Sequence, residues 1–251
     1  MTATAPAISR IAMIAHRGAS GYAPENTLAS FRKALEMGAA SIEFDVQQTK
    51  DGRLVVIHDP DLKRLAGARK RVRALTWAEL STLDVGRWFG PRFKGEKVPL
   101  LEELLDFYES HAPGRMELQL EIKNGFRPYS GVERHVLECL DSRPEWNGRV
   151  VISSFDHKAL HRVRDLDSKA RLGYLVGMTR RASALKEAVR LGCESLHLSL
   201  RQTNRKWIDS AHASGLKVLV YTVNTAIECR RLMALGVDAV FTNFPDVLTG
   251  K

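Results

Sequence analysis

The sequence predicts a single α/β domain folded as a closed (β/α)8 barrel, the TIM barrel, with a small insertion after the second strand. Three observations carry that expectation. Eight short β-like runs recur along the chain, helix-period segments lie between them, and 251 residues suit eight such units in one domain. Alternation of strand and helix implies parallel pairing. A doubly wound open sheet is the alternative, because alternation by itself does not require the sheet to close. The domain is expected over residues 8–249.

The elements follow in order. "RIAMIAH" (10–16) is the first strand, and "ENTLASFRKALEMG" after it sets Leu28, Phe31 and Leu35 on one helical stripe that stops at Gly38. "SIEFDVQQ" (41–48) is the second strand. A turn at Lys50-Asp51-Gly52 leads into "RLVVIHD" (53–59), which reads as a hairpin or strand extension. Residues 60 to about 100 hold no barrel unit; with "RWFGPRFKGEKVP" they are rich in aromatics, Gly and Pro, and read as a lobe inserted over the barrel mouth. Strands are expected again at 116–123, 149–155, 171–177, 195–200, 217–223 and 239–244. Among them lie the helical segments "HKALHRVRDL", "ALKEAVRLG", "KWIDSAHASG" and "AIECRRLMALG", three of which end in glycine.

Composition narrows the classes. Cys139, Cys193 and Cys229 are odd in number, far apart and free of any CxxC, which suits a reducing compartment, the cytoplasm, rather than a disulfide frame or a zinc site. No apolar run approaches a membrane span, and "MTATAPAISR" lacks the basic start and apolar core of a secretory leader. A formal charge of +9 attracts anions. Only "KRLAGARKRVR" (63–73) is densely basic, and no aromatic-interleaved RNA-binding signature occurs, so no nucleic-acid partner is expected.

Active sites of such barrels lie at the C-terminal ends of the strands. The first strand ends in His16-Arg17, the second carries Glu43 and Asp45, the hairpin run ends in His58-Asp59, and the next strand carries Glu121 and Lys123. Strand side chains alternate, so Glu43 and Asp45 share one face, as do Glu121 and Lys123, while Ile42, Phe44, Leu120 and Ile122 face the helices. Three carboxylates turned into one mouth repel, and burying them unpaired is expensive. A hard divalent cation, Mg²⁺ or Ca²⁺, relieves that cost. The competing reading is a purely structural ion-pair network with Arg17 and Lys123.

Two histidines flanking the acidic cluster can divide proton transfer, one as base and one as acid. Of the other six, His197 alone sits inside a strand, "SLHLSL", and is read as structural. Arg17 and Lys123 beside a cation suit a phosphate ligand. Gly18 and Gly21 let the backbone approach that anion closely, and "APENT" starts a helix whose N-terminus favours it. Glu25 and Asn26 are read as no more than the turn into that helix.

"HRG…PENT", "EFDVQQTKDGRLVVIHD", "EIK", "YTVN" and "TNFPD", in this order, resemble the glycerophosphodiester phosphodiesterase family, and "DVGRWFGPRFKGEKVPLLEELL" is similar to that family's insertion segment. The resemblance runs from about Ile11 to Asp246. It implies a (β/α)8 barrel, one divalent cation and hydrolysis of glycerophosphodiesters to sn-glycerol 3-phosphate and an alcohol. Carried over by motif, His16 and His58 are the acid–base pair, Arg17 and Lys123 bind phosphate, and Glu43, Asp45 and Glu121 hold the metal. Phe89 of the insert and Tyr221 are expected against the substrate. Tyr221 departs from the commonest pattern, in which tryptophan opens "WTVN". Two other readings remain: phospholipase-D-like hydrolysis of lysophospholipids on the same core, and a catalytically silent phosphodiester-binding protein. The latter should have lost a histidine or a metal ligand, and this chain keeps them all.

Overall fold

The computed structural model describes residues 11–112, 114, 116–124, 127–177 and 181–249. Residues 1–10, and with them the expected domain start at residue 8, lie outside the described residues. The strands are β1 (Ala12–His16), β2 (Ser41–Gln48), β3 (Leu54–Val56), β4 (Glu117–Ile122), β5 (Val150–Ser154), β6 (Arg171–Leu175), β7 (Ser195–Ser199), β8 (Lys217–Tyr221) and β9 (Ala239–Thr242). The helices are α1 (Leu28–Glu36), α2 (Lys63–Ala66), α3 (Trp77–Leu80), α4 (Leu101–His111), α5 (Val132–Asp141), α6 (His157–Leu166), α7 (Arg181–Arg190), α8 (Arg205–Ala213) and α9 (Ala226–Leu235).

All strands but β3 pair in parallel, in the order β1-β9-β8-β7-β6-β5-β4-β2, and β1 pairs with β2 as well as with β9, so the barrel closes. The open-sheet alternative is thereby excluded. β3 runs antiparallel to β2, with Val46 opposite Val56 and Gln48 opposite Leu54. It is shorter than the run expected from the sequence: Ile57 donates to the Asp45 carbonyl at 2.9 Å, and the chain then leaves the sheet at His58. The three thiols are unpaired.

The period-2 pattern decides what faces what. Ile42, Phe44, Val46, Leu118, Leu120 and Ile122 are buried between sheet and helices, where Phe31 of α1 and Tyr108 of α4 pack on them. The alternate positions form a smaller cluster inside the barrel, with Ile14, Leu219, Ala239 and Phe241 at its centre and Tyr221 against it. His16 and Tyr221 follow Ile14 and Leu219 by two residues, and so point inward at the same end.

Residues 57–100 are held by a hydrophobic cluster of their own, built from Ile57, Leu62, Leu65, Val72, Leu80 and Val98 among others. Helix α4 follows directly and presents Leu101, Leu104, Leu105 and Tyr108 to the barrel. This helix and α5 are barrel helices that the sequence pattern does not pick out.

Candidate active site

The site begins where β1 ends. Arg17 adopts a left-handed conformation, φ 55°, and Gly18 continues it at φ 78°. The turn aims the Arg17 amide at Glu43 Oε2, to which it donates at 3.0 Å. The guanidinium is held between two acids, with Nε 3.2 Å from Asp45 Oδ2 and an N–H donated to Glu25 Oε1 at 2.8 Å. The glycines have a packing role that the sequence reading does not assign. A Cβ on Gly18 would come within 2.6 Å of Ser30 on α1, and one on Gly21 within 2.3 Å of the Phe244 ring. Likewise the α1 N-terminus is closed by its own capping box. Thr27 Oγ1 accepts from the Ser30 amide and Ser30 Oγ from the Thr27 amide, both at 3.3 Å, and both residues are buried. The capping box thus takes up the Thr27 and Ser30 amides, while Leu28 and Ala29, the first two helical residues, are partly exposed.

Glu25 and Asn26 are more than a turn. Asn26, also left-handed at φ 55°, donates from its side-chain amide to Asp45 Oδ2 at 2.8 Å. Glu25 bridges Arg17 and Arg64. The sequence hides both roles because the partners are distant in it.

Glu43, Asp45 and Glu121 are buried, and one oxygen from each lies within 4.8 Å of the others. Lys123 Nζ reaches into the group, 2.7 Å from Glu121 Oε1 and 3.1 Å from Asp45 Oδ1. Burial and the neighbouring Asp45 charge push Glu43 well above the usual carboxylate range. Burial raises Glu121 too, and although Lys123 opposes it the group ends at about 7. Burial also works against Asp45, but Lys123 and Arg17 outweigh it and hold that carboxyl low. The ion pairs with Arg17 and Lys123 thus exist, at Asp45 and Glu121, and they leave Glu43 without a direct cationic partner among Arg and Lys side chains of the described residues. Two cations cannot offset three buried carboxylates, and the excess negative charge favours bound protons on Glu43 and Glu121. An all-oxygen set of this kind fits a hard divalent cation, which would replace those protons.

The two histidines lie on either side of the acids and are oriented alike. His16 Nδ1 is 2.8 Å from Asn243 Oδ1, so Nδ1–H donates and Nε2 is turned to the cluster, 3.9 Å from Glu43 Oε2. His58 Nδ1 lies 2.8 Å from Asp59 Oδ1, which likewise leaves Nε2 free. Burial and the Arg17 charge lower His16 to about 4, and burial lowers His58 as well, against the pull of Asp45. Both shifts favour the uncharged ring. Asn243 lies one residue beyond β9, and its amide is itself tied to Asn224 Oδ1 at 2.9 Å. Asp59 and Asn243 escape sequence reasoning, although their adjacency to His58 and to a strand end is the signal that could have found them.

The lobe reaches the site through Arg64 of α2. Its Nε donates to Asp59 Oδ2 at 2.7 Å, and its terminal nitrogens donate to the two Glu25 oxygens at 2.8 and 2.9 Å. The guanidinium also lies 5.2 Å from the centre of the Trp88 ring. Phe89 is packed edge-on between Trp88 and Phe93, with centroids 5.6 and 5.4 Å away. On the other side, the buried Gln47 amide donates to the carbonyls of Ile57, His58 and Asp59, each at 2.9 Å, and fixes the turn that carries His58.

A cavity of about 140 Å³ opens between the histidines; His16, Arg17, His58, Lys123, Phe155 and Tyr221 line it. Tyr221 and Phe155 meet edge-to-face at 6.1 Å. Phe155, half exposed just past β5, is a lining residue to which the sequence assigns no role. His197 forms part of the cavity floor. It is buried, held to Ser195 Oγ at 2.9 Å, and covered by Gly173, where any Cβ would come within 2.6 Å of the ring. A second cavity, about 600 Å³, adjoins the first across His58, Glu121, Lys123 and Phe155.

Residues 16–247 match the glycerophosphoryl diester phosphodiesterase family. The chain is 36% identical over 260 residues to a glycerophosphodiester phosphodiesterase of Bacillus subtilis, covering 95% of this chain and 85% of that one. It is 34% identical over 238 residues to the glycerophosphodiester phosphodiesterase of Caldanaerobacter subterraneus subsp. tengcongensis, with 94% and 95% covered. Among solved structures it is similar to an Oleispira antarctica phosphodiesterase in complex with the product sn-glycerol-3-phosphate, with a TM-score of 0.83, 31% identity and 95% of each chain covered. The chain belongs to the glycerophosphoryl diester phosphodiesterase family, and with it to the enzymes that hydrolyse phosphodiesters.

Proposed function

We propose that this protein hydrolyses glycerophosphodiesters to sn-glycerol 3-phosphate and an alcohol, using His16 and His58 for proton transfer and one divalent cation. The observation that supports this most directly is the convergence of two imidazoles, each anchored through Nδ1 and with Nε2 free, on a buried cluster of three acids, one arginine and one lysine. A phosphodiester is an anion that needs positive charge around its oxygens, a base for the attacking hydroxyl and an acid for the departing alkoxide. Arg17 and Lys123 bind the phosphoryl oxygens. Glu43, Asp45 and Glu121 would hold Mg²⁺ or Ca²⁺, which would supply further positive charge against the negative charge that builds up on the phosphoryl oxygens in the transition state.

One imidazole takes the proton of the attacking hydroxyl, from water or from the neighbouring glycerol hydroxyl, on its bare Nε2; the other enters the step as the imidazolium, favoured by the phosphodiester anion beside it, and gives its Nε2 proton to the leaving oxygen. Asn243 and Asp59 accept from Nδ1–H of the two rings and so keep each Nε2 turned to the site, bare in the base and protonated in the acid. Tyr221 and Phe155 pack against the glycerol carbons in the small cavity, and the aromatics around Phe89 shape entry from the lobe. The free thiols suit a reducing compartment, the cytoplasm; among the described residues no helix is long and apolar enough to cross a membrane.

The test is a panel of glycerophosphodiesters and lysophospholipids assayed with Mg²⁺, with Ca²⁺ and with chelator. Release of sn-glycerol 3-phosphate from the glycerophosphodiesters is the expected result. Turnover confined to lysophospholipids would favour the phospholipase-D-like reading, and binding without turnover the silent one.

A further inference from the structure

We infer that the larger cavity is the subsite for the alcohol half of the diester, and that it selects an alcohol carrying its own phosphate. This rests on the hydrolase reading above and adds to it the chemistry of the leaving group. The cavity opens on the His58 side of the site and shares Lys123 and Phe155 with the smaller one, so a diester whose phosphorus lies between the histidines has one arm in each. At 140 Å³ the smaller cavity has room for a three-carbon glycerol arm, which leaves the 600 Å³ space for the alcohol.

Charge decides what that alcohol is. Arg71, Arg73 and Arg127 line the larger cavity, and among the described residues no carboxylate lies within ion-pair distance of any of them. The acids on its wall are largely committed elsewhere. Glu121 is paired with Lys123 at 2.7 Å, and Asp156 accepts from Arg162 at 3.2 Å and from Asn124 at 3.1 Å. Asp61 remains, accepting the Lys63 amide at 3.0 Å. Three unpaired guanidinium groups against one carboxylate make a positive wall, which a quaternary ammonium avoids and a phosphate occupies.

The arrangement is also built rather than incidental. Arg73 lies 4.6 Å from the centre of the Tyr129 ring and donates to the Arg127 and Pro128 carbonyls at 2.8 and 3.2 Å. Tyr129 in turn donates its hydroxyl to Gln47 Oε1 at 2.8 Å, and Gln47 holds the turn bearing His58. A guanidinium pinned in this way keeps a constant relation to the catalytic histidine, which is what a specificity residue requires.

The experiment compares kcat/KM for glycerophosphoinositol 4-phosphate, glycerophosphoinositol and glycerophosphocholine at low ionic strength. The phosphorylated alcohol should be preferred over its parent by roughly tenfold, and the choline ester should be the poorest of the three. Arg71→Gln combined with Arg73→Gln should bring the first ratio close to one. Because a variant can fail to fold, the wild-type ratio is measured in high KCl too, where screening should shrink it. A wild-type ratio near one, a preference for the choline ester, a ratio that survives in the folded double variant or one indifferent to salt would overturn the inference. Failure to cleave any of the three esters would instead sink the hydrolase reading on which it rests.

Discussion

Arg64 holds Glu25 by two hydrogen bonds, 2.8 and 2.9 Å, and so ties the inserted lobe to the barrel mouth. Because Glu25 also bonds Arg17, and Arg64 also bonds Asp59, the partner of His58, this one guanidinium sits behind both Arg17 and His58. Arg64→Gln removes the clamp without touching substrate. We expect kcat to fall about tenfold or more, since small displacements of reacting groups are costly, with an unchanged far-ultraviolet circular dichroism spectrum. Wild-type kcat in this variant would show that the clamp does not position the site.

Cation binding should release protons. Glu121 is pushed to about 7 and Glu43 above the ordinary range, whereas a carboxylate must be ionised to ligate. Titration of Mg²⁺ or Ca²⁺ into chelator-treated protein at slightly acidic pH, by calorimetry in buffers of different ionisation enthalpy, should report roughly one proton lost per ion. Chelation should abolish turnover, and Glu43→Gln should weaken binding and diminish the proton release. Heats that do not depend on the buffer would contradict this account of the acidic cluster.

His197 should make the fold acid-sensitive. Burial lowers its pKa from 6.5 to about 3. Between these values the unfolded chain binds a proton that the folded chain refuses. The stability associated with the neutral ring is therefore complete above 6.5 and lost progressively as pH falls toward 3. The slope it contributes within that window approaches about 1.4 kcal/mol per pH unit. His197→Gln, followed by urea unfolding across the window, should lose less stability on acidification than the wild type. Parallel curves would mean that the ring takes up its proton without opening the barrel.

Phe89 and Phe93 should matter for choice of substrate rather than for chemistry. They meet edge-to-face at 5.4 Å in the lobe, and neither is among the residues lining the two cavities at the histidines. Alanine at either position should reorder the substrates by kcat/KM. An unchanged ranking across the panel would exclude them from substrate access.

The parts of this molecule legible in sequence are those decided within one element. Strand β2 is legible to its last residue because Ile42, Phe44 and Val46 alternate with Glu43, Asp45 and Gln47, and a period of two admits one fold for such a run. The same alternation, repeated in β4, is enough to turn Glu43, Asp45 and Glu121 to one side of the sheet. Helix α4 is not legible, because its first turn runs on from the apolar tail of the insertion and no polar break marks its start. At the site, the contacts that the sequence hides are long-range. Arg64 reaches Glu25 across 39 residues and Asn243 reaches His16 across 227. Glu25 and Asn26 look like a turn because they are one, and only the return of β2 beside them supplies Asp45 as a partner. Gly18 and Gly21 carry a signal of close approach, and Ser30 and Phe244 are the partners that approach them in the fold.

The central claim is that two histidines share the proton transfers, and replacing each in turn tests it most directly. His16→Ala and His58→Ala should each lower kcat on a glycerophosphodiester by about 10²- to 10⁴-fold, the usual worth of a positioned acid or base, while calorimetric cation affinity is retained. On a p-nitrophenyl phosphodiester, whose leaving group needs little protonation, the variant lacking the acid should recover and the variant lacking the base should stay slow. Near-normal turnover of the glycerophosphodiester by either variant would contradict the two-histidine mechanism.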